Sequence, residues 1–157
     1  MGARGPGSNA GDQELSKTFT LNEAQTLLPV VEALLRKAQM AGARVGELEN
    51  EMQQLCHRIF LSGGMHVDVS AAARRRGERD KAMQEAKDTL AEIDSIGVQV
   101  TDLEQGLLDF PALMDGKPVL LCWKQGEPSI AHWHTEEEGF AGRKPLDSRS
   151  GKTERLN

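Results

Sequence analysis

The chain has 157 residues, enough for one domain of ordinary size, and its 24 acidic against 19 basic residues give a formal net charge of −5. That balance disfavours non-specific binding to nucleic acid, and no apolar run approaches the ~18 residues of a membrane-spanning helix. Aromatic residues are only 4% and tyrosine is absent, so packing must rest on aliphatic side chains, the usual filling of helix-on-helix seams.

Residues 1–17 are Gly-rich and lack the apolar core of a secretory signal, and Pro6 stands where an N-myristoylation signal needs Ser or Thr. They read as a disordered lead. The first helix starts at a capping box, Thr20-Leu21-Asn22-Glu23, in which hydroxyl and carboxylate satisfy each other's backbone N–H; Phe19 and Ala24 flank it as a staple. Val31, Leu34, Ala38, Ala41, Val45, Leu48, Met52, Leu55 and Ile59 then step by three and four. This seven-residue period predicts one apolar seam facing a partner helix up to Leu61, about 40 residues or roughly 60 Å. Pro29 removes a donor in the second turn and predicts a bend. Gly42 and Gly46 are either a soft spot or a close approach of another backbone.

A tip over residues 62–69 follows, where His66 and Asp68 share a face and Asp68 suits a turn. Ser70 is the expected N-cap of a second helix, in which Met83, Ala86, Leu90 and Ile93 form the seam and Gly97 the stop, about 26 residues or roughly 40 Å in all. Folded back antiparallel, this arm is too short to cover residues 21–36, the most apolar part of the first helix. The C-terminal third must cover it. That third reads as strands over Val98–Val100, Leu107–Leu113, Val119–Trp123 and Ser129–His134. Asp115-Gly116 is a strong tight-turn signal and Gln125-Gly126 a weaker one. Pro111 demotes its stretch to an edge or broken strand. Trp123 and Trp133 are expected as core rings.

The fold class is therefore α+β, mainly α: a long antiparallel, coiled-coil-like helical hairpin over 20–97, with a small antiparallel β module over 98–146 packed on its base. Residues 147–157 read as a flexible tail, which leaves one domain over 18–146.

Several segments resemble a prokaryotic family, domain of unknown function 2203. They are Phe19–Ala24 followed by Leu27-Leu28-Pro29, Gly106–Leu113, Leu121-Cys122-Trp123, Gly126-Glu127-Pro128, Trp133-His134 and Gly139–Pro145. The likeness covers about residues 18–146. It implies long helices with a small β region and no particular activity. Thr135 departs from the pattern, in which an acid often follows the Trp-His pair.

His132-Trp133-His134 is the main chemical candidate. Residues two apart on a strand point to one face, and two imidazoles with a carboxylate make a basis for a zinc-like divalent metal. Glu136 is the local carboxylate of the candidate metal set, with Glu137 as a local alternative, and Asp109 and Glu127 are partners from neighbouring segments. Asp109, Glu127 and Arg143 form a candidate ligand-binding set, Arg143 suiting a carboxylate or phosphate; the plainer expectation is an Arg143 salt bridge to Asp109 or Glu127. Arg58, Arg74, Arg75, Arg76, Arg79 and Lys81 make the hairpin tip basic, but Glu78, Asp80 and Glu85 interrupt them. Cys56 and Cys122 share no close-spaced framework and read as free thiols of a reducing, cytoplasmic compartment. Cys56 beside His57 does not make a catalytic pair, because successive helical residues do not face each other.

Three functions fit. One is an interaction or scaffold protein whose hairpin pairs with a second copy or another protein, homodimerisation being the leading form. The others are a metal- or ligand-binding protein or small enzyme using Asp109, Glu127, His132, His134 and Arg143, and nucleic-acid binding at the basic tip. Neither activity nor partner is specified by these residues.

Overall fold

The computed structural model describes residues 17–64 and 69–147, and the backbone of 153–154. Most of the expected lead, together with His66 and Asp68, lies outside the described residues. Helix α1 runs over Leu21–Leu61, 41 residues, and α2 over Val69–Ile96, 28 residues. Strands β1 (Gln99–Asp102), β2 (Leu107–Met114), β3 (Lys117–Lys124), β4 (His132–His134), β5 (Lys144–Pro145) and β6 (Thr153–Glu154) follow, with a short 3-10 turn over Phe140–Gly142. The class is α+β, mainly α, as expected, and the described chain divides into two compact units.

One unit joins the residues up to Val31 to those from Asp94 onward. The capping box forms as read: Glu23 N–H donates to Thr20 Oγ1 at 3.1 Å, and Thr20 N–H donates to Glu23 Oε1 at 3.3 Å. Ala24, Leu28 and Val31 are buried, and Gln25 clamps Ile130 from both sides of its amide, with bonds of 3.0 and 3.1 Å. Phe19 meets Phe110 edge to face at 5.7 Å. The root of α1 thus belongs with the sheet, which is where the apolar excess of this stretch pointed.

The sheet is antiparallel in the order β1-β2-β3-β4-β5, with β6 beside β2. Asp115 and Gly116 have φ of 53° and 75°, the positive pair that a two-residue hairpin needs to match strand twist. Pro111 does not break β2, which runs unbroken for 8 residues and is flanked by neighbours on both sides. The reason is its register. Pro111 O accepts the Phe19 N–H at 2.7 Å, on the side away from β3. In an extended strand a residue's N–H and C=O share a side, so the missing donor also faces away from the β2–β3 ladder. β1 covers the stretch before it, up to Asp109, and β6 covers Leu113 and Met114.

The other unit, Glu32–Ile93, is the hairpin. Ala38, Ala41 and Leu48 are buried, with Leu35 rather than Leu34 completing the row, and Val45, Met52, Leu55 and Ile59 are half-buried. Arg75 reaches Glu51 at 3.2 Å and Arg44 reaches Glu78 at 3.1 Å, joining the arms. On α2 the expected seam holds at Ile93, with Leu90 half-buried, and departs at Met83. Met83 faces solvent, while Ala82, Thr89 and Ile93 are buried and Ala86 half-buried. The buried row thus takes Thr89, whose hydroxyl is satisfied by Glu85 O at 2.7 Å. Ser70 lies inside α2, which starts one residue earlier. Gly42 and Gly46 have nothing within 4 Å of where a Cβ would stand, so the close approach is not made and the soft spot remains. No helix among the described residues is long and apolar enough to cross a membrane.

Candidate functional site

Cross-strand register places Asp109 of β2 opposite Cys122 of β3, and Cys122 opposite His132 of β4. With alternation, Leu108, Phe110, Leu121 and Trp123 take one face of the sheet, all fully buried, and Asp109, Cys122, His132 and His134 take the other. The polar face is closed too: Asp109 is 4% exposed, Cys122 1% and His134 2%.

Three donor atoms gather there. One each from Asp109, Cys122 and His134 lie within 4.8 Å of one another. His134 Nε2 stands 3.0 Å from Asp109 Oδ1, and Nδ1 stands 2.7 Å from Thr135 O. A carbonyl only accepts, so Nδ1 carries a proton and donates it there. Nε2 and Asp109 Oδ1 then meet through a single proton. The second Asp109 oxygen accepts a short hydrogen bond from the Thr101 hydroxyl. Thr101 is aimed there by a bulge: the β1–β2 register slips between Val100 and Asp102, leaving Thr101 the extra residue.

Beside this core lies a half-exposed group. Arg143 Nη1 donates to Glu127 Oε1 at 2.9 Å, and the same oxygen accepts the Lys124 N–H at 2.7 Å. Burial works against the Glu127 carboxylate, but Arg143, the Lys124 N–H and His132 together hold its carboxyl below the usual range. His132 Nδ1 lies 3.5 Å from Glu127 Oε2, a close approach without hydrogen-bond geometry. The Arg143 guanidinium, its proton held more tightly through the bond to Glu127, stacks on Phe140 at 4.6 Å and also reaches the Cys122 thiol. Burial first, then the Asp109 charge, push the Cys122 thiol up to about 11, and Arg143 offsets only part of that.

The residues singled out in the sequence for this site therefore converge on one face, except Glu136 and its alternative Glu137. Asp109 and His134 form its buried centre, while Glu127, Arg143 and His132 form the adjoining charged group. The Arg143 bridge to Glu127 is the plainer of the two expectations. Glu136, taken as the third metal ligand, is exposed, and His132 turns to Glu127, so neither belongs to the set of three gathered donors. Sequence reasoning missed Cys122 and Thr101. Cys122 was legible as the residue between Asp109 and His132 once register is laid out; Thr101 reaches the site through a bulge that no residue pattern announces.

A family model described as an uncharacterized conserved protein, DUF2203, matches residues 17–146. No curated protein and no solved structure matches the chain.

Proposed function

The chain belongs to the uncharacterized conserved family DUF2203, and we propose that it is an interaction protein whose helical hairpin pairs with a second copy of the same chain. One observation carries this reading. Beside the hairpin tip Phe60, Leu61 and Val69 are 81%, 69% and 68% exposed. Large apolar side chains left in water at one end of the hairpin suit an interaction surface, and each stands to gain about 1.5–3 kcal/mol gross on burial.

Charge favours a second copy as the occupant. The first half of α2 holds Arg74, Arg75, Arg76, Arg79 and Lys81 against Glu78 and Asp80, whereas its second half holds Glu85, Asp88, Glu92 and Asp94 against Lys87. Among the described residues Arg58, Arg74 and Arg76 make no ion pair. Two hairpins laid antiparallel bring the basic tip of each against the acidic stretch of the other, in a four-helix arrangement with two-fold symmetry. The half-buried Met52, Leu55 and Ile59 add apolar surface to the same arm. Two free thiols, one exposed and one buried, suit a reducing cytoplasm.

Sedimentation equilibrium over a range of concentrations tests the pairing. The wild type is expected to approach twice the chain mass and to dissociate as salt is raised; Phe60→Asp combined with Leu61→Asp is expected to sediment as a monomer. A wild type that stays monomeric at every concentration overturns the proposal.

A further inference from the structure

The sheet holds a second feature, independent of the hairpin: a buried trio of unlike donors. We propose that Asp109 Oδ1, Cys122 Sγ and His134 Nε2 form a binding site for one zinc-class divalent cation. Their atoms lie within 4.8 Å of each other, and the Asp109–His134 pair is 3.0 Å apart. Around a tetrahedral zinc with bonds of about 2.0–2.3 Å, ligand atoms stand roughly 3.3–3.6 Å apart, so side-chain movements of about 1 Å seat three ligands and leave the fourth position to a water.

The surroundings are built as metal ligands require. His134 donates Nδ1–H to Thr135 O, which fixes the tautomer that turns the Nε2 lone pair inward. Thr101 holds the outer oxygen of Asp109 and leaves the inner one facing His134. A carboxylate oxygen and an imidazole lone pair at that distance need a positive charge between them, a proton or a metal ion. Charge also balances. Asp109 and a Cys122 thiolate neutralise a divalent cation, while Arg143, whose guanidinium reaches Cys122, is matched by Glu127. Mixed sulfur, nitrogen and oxygen donors select zinc-class ions over magnesium or calcium, which take oxygen alone. On binding, the cation displaces the Cys122 thiol proton and the proton shared by Asp109 and His134, and both leave to solvent.

Cobalt(II) reports such a site through its colour. The full-length chain, purified without an affinity tag, is unfolded in denaturant with chelator and refolded with cobalt chloride, so that burial of the site does not block loading. The expected result is one cobalt per chain with a near-ultraviolet thiolate-to-cobalt band, release of about two protons, and displacement by zinc. Cys56→Ser keeps the band and Cys122→Ser abolishes it, with circular dichroism showing that each variant is folded; should Cys122→Ser not fold, Asp109→Asn takes its place and is expected to weaken binding at least tenfold. Refolded wild type with no thiolate band, or a band that persists in Cys122→Ser or moves with Cys56, overturns the site.

Discussion

Glu127 shows how much one side chain can be asked to do. Its carboxylate takes a guanidinium, a backbone N–H and the edge of an imidazole, and those partners outweigh its burial. Because its carboxyl is held low in the folded chain, the unfolded chain binds the extra proton first as pH falls. The stability it contributes is whole above the ordinary glutamate range near ~4.3 and is lost as pH drops through the lower folded value. Glu127→Gln is therefore expected to cost about 1 kcal/mol at neutral pH, the modest figure suiting a part-exposed pair, and much less near ~pH 3. Urea midpoints measured at both pH values check it. This residue was readable in advance as a partner for Arg143, since a cation in a Gly-rich loop after an acidic run needs a counter-charge. Cys122 was not, because a lone cysteine in an apolar strand reads as a small hydrophobe until its neighbours across the sheet are known.

Elements were legible where a local rule has no competitor. The Thr20 box and the Asp115-Gly116 turn formed as read because both are closed by bonds within a few residues. The rules that failed compete with long-range partners. Pro111 argues against an interior strand only if its nitrogen faces the neighbouring ladder, and the Phe19 bond shows that it faces the other way. On α2 the apolar residues are too sparse to fix the phase of the seam, so Met83 was read as buried when Ala82 and Thr89 take that row. Met83 separates the phases, and Ile93, buried in either one, serves as the reference. Met83→Gln is expected to change stability by no more than about 0.5 kcal/mol, whereas Ile93→Ala should cost about 2–5 kcal/mol by opening a cavity. Chemical denaturation of both variants checks it: a Met83→Gln loss close to that of Ile93→Ala would return Met83 to the seam.

For the molecule as a whole, the apolar root of α1 announced that something other than α2 must bury it, and Gln25 on Ile130 and Phe19 on Phe110 belong to that burial. The hairpin's outer surface was less readable: no residue pattern singled out Phe60, and only its exposure beside the tip gives it a role. Global closure of the structure has its own reporter in the two thiols. Cys56 is exposed and Cys122 is 1% exposed, and the latter keeps its proton at neutral pH. A thiol reagent is expected to label one cysteine quickly in the native chain and the second only on unfolding, at a rate that follows denaturant. Mass spectrometry of the labelled peptides identifies which is which.

The outer border of β2 is patched by three separate pieces: β1, the single bond from Phe19, and β6. Such a border invites a stray strand from a neighbouring molecule wherever a patch lifts. At the middle patch, however, an intruder would find the Pro111 carbonyl with no N–H beside it, half of the handhold that strand addition requires. The proline that looks like a flaw in the strand thus guards the one gap in its armour, and fibre-forming misassembly through this seam is discouraged even where the Phe19 bond is broken.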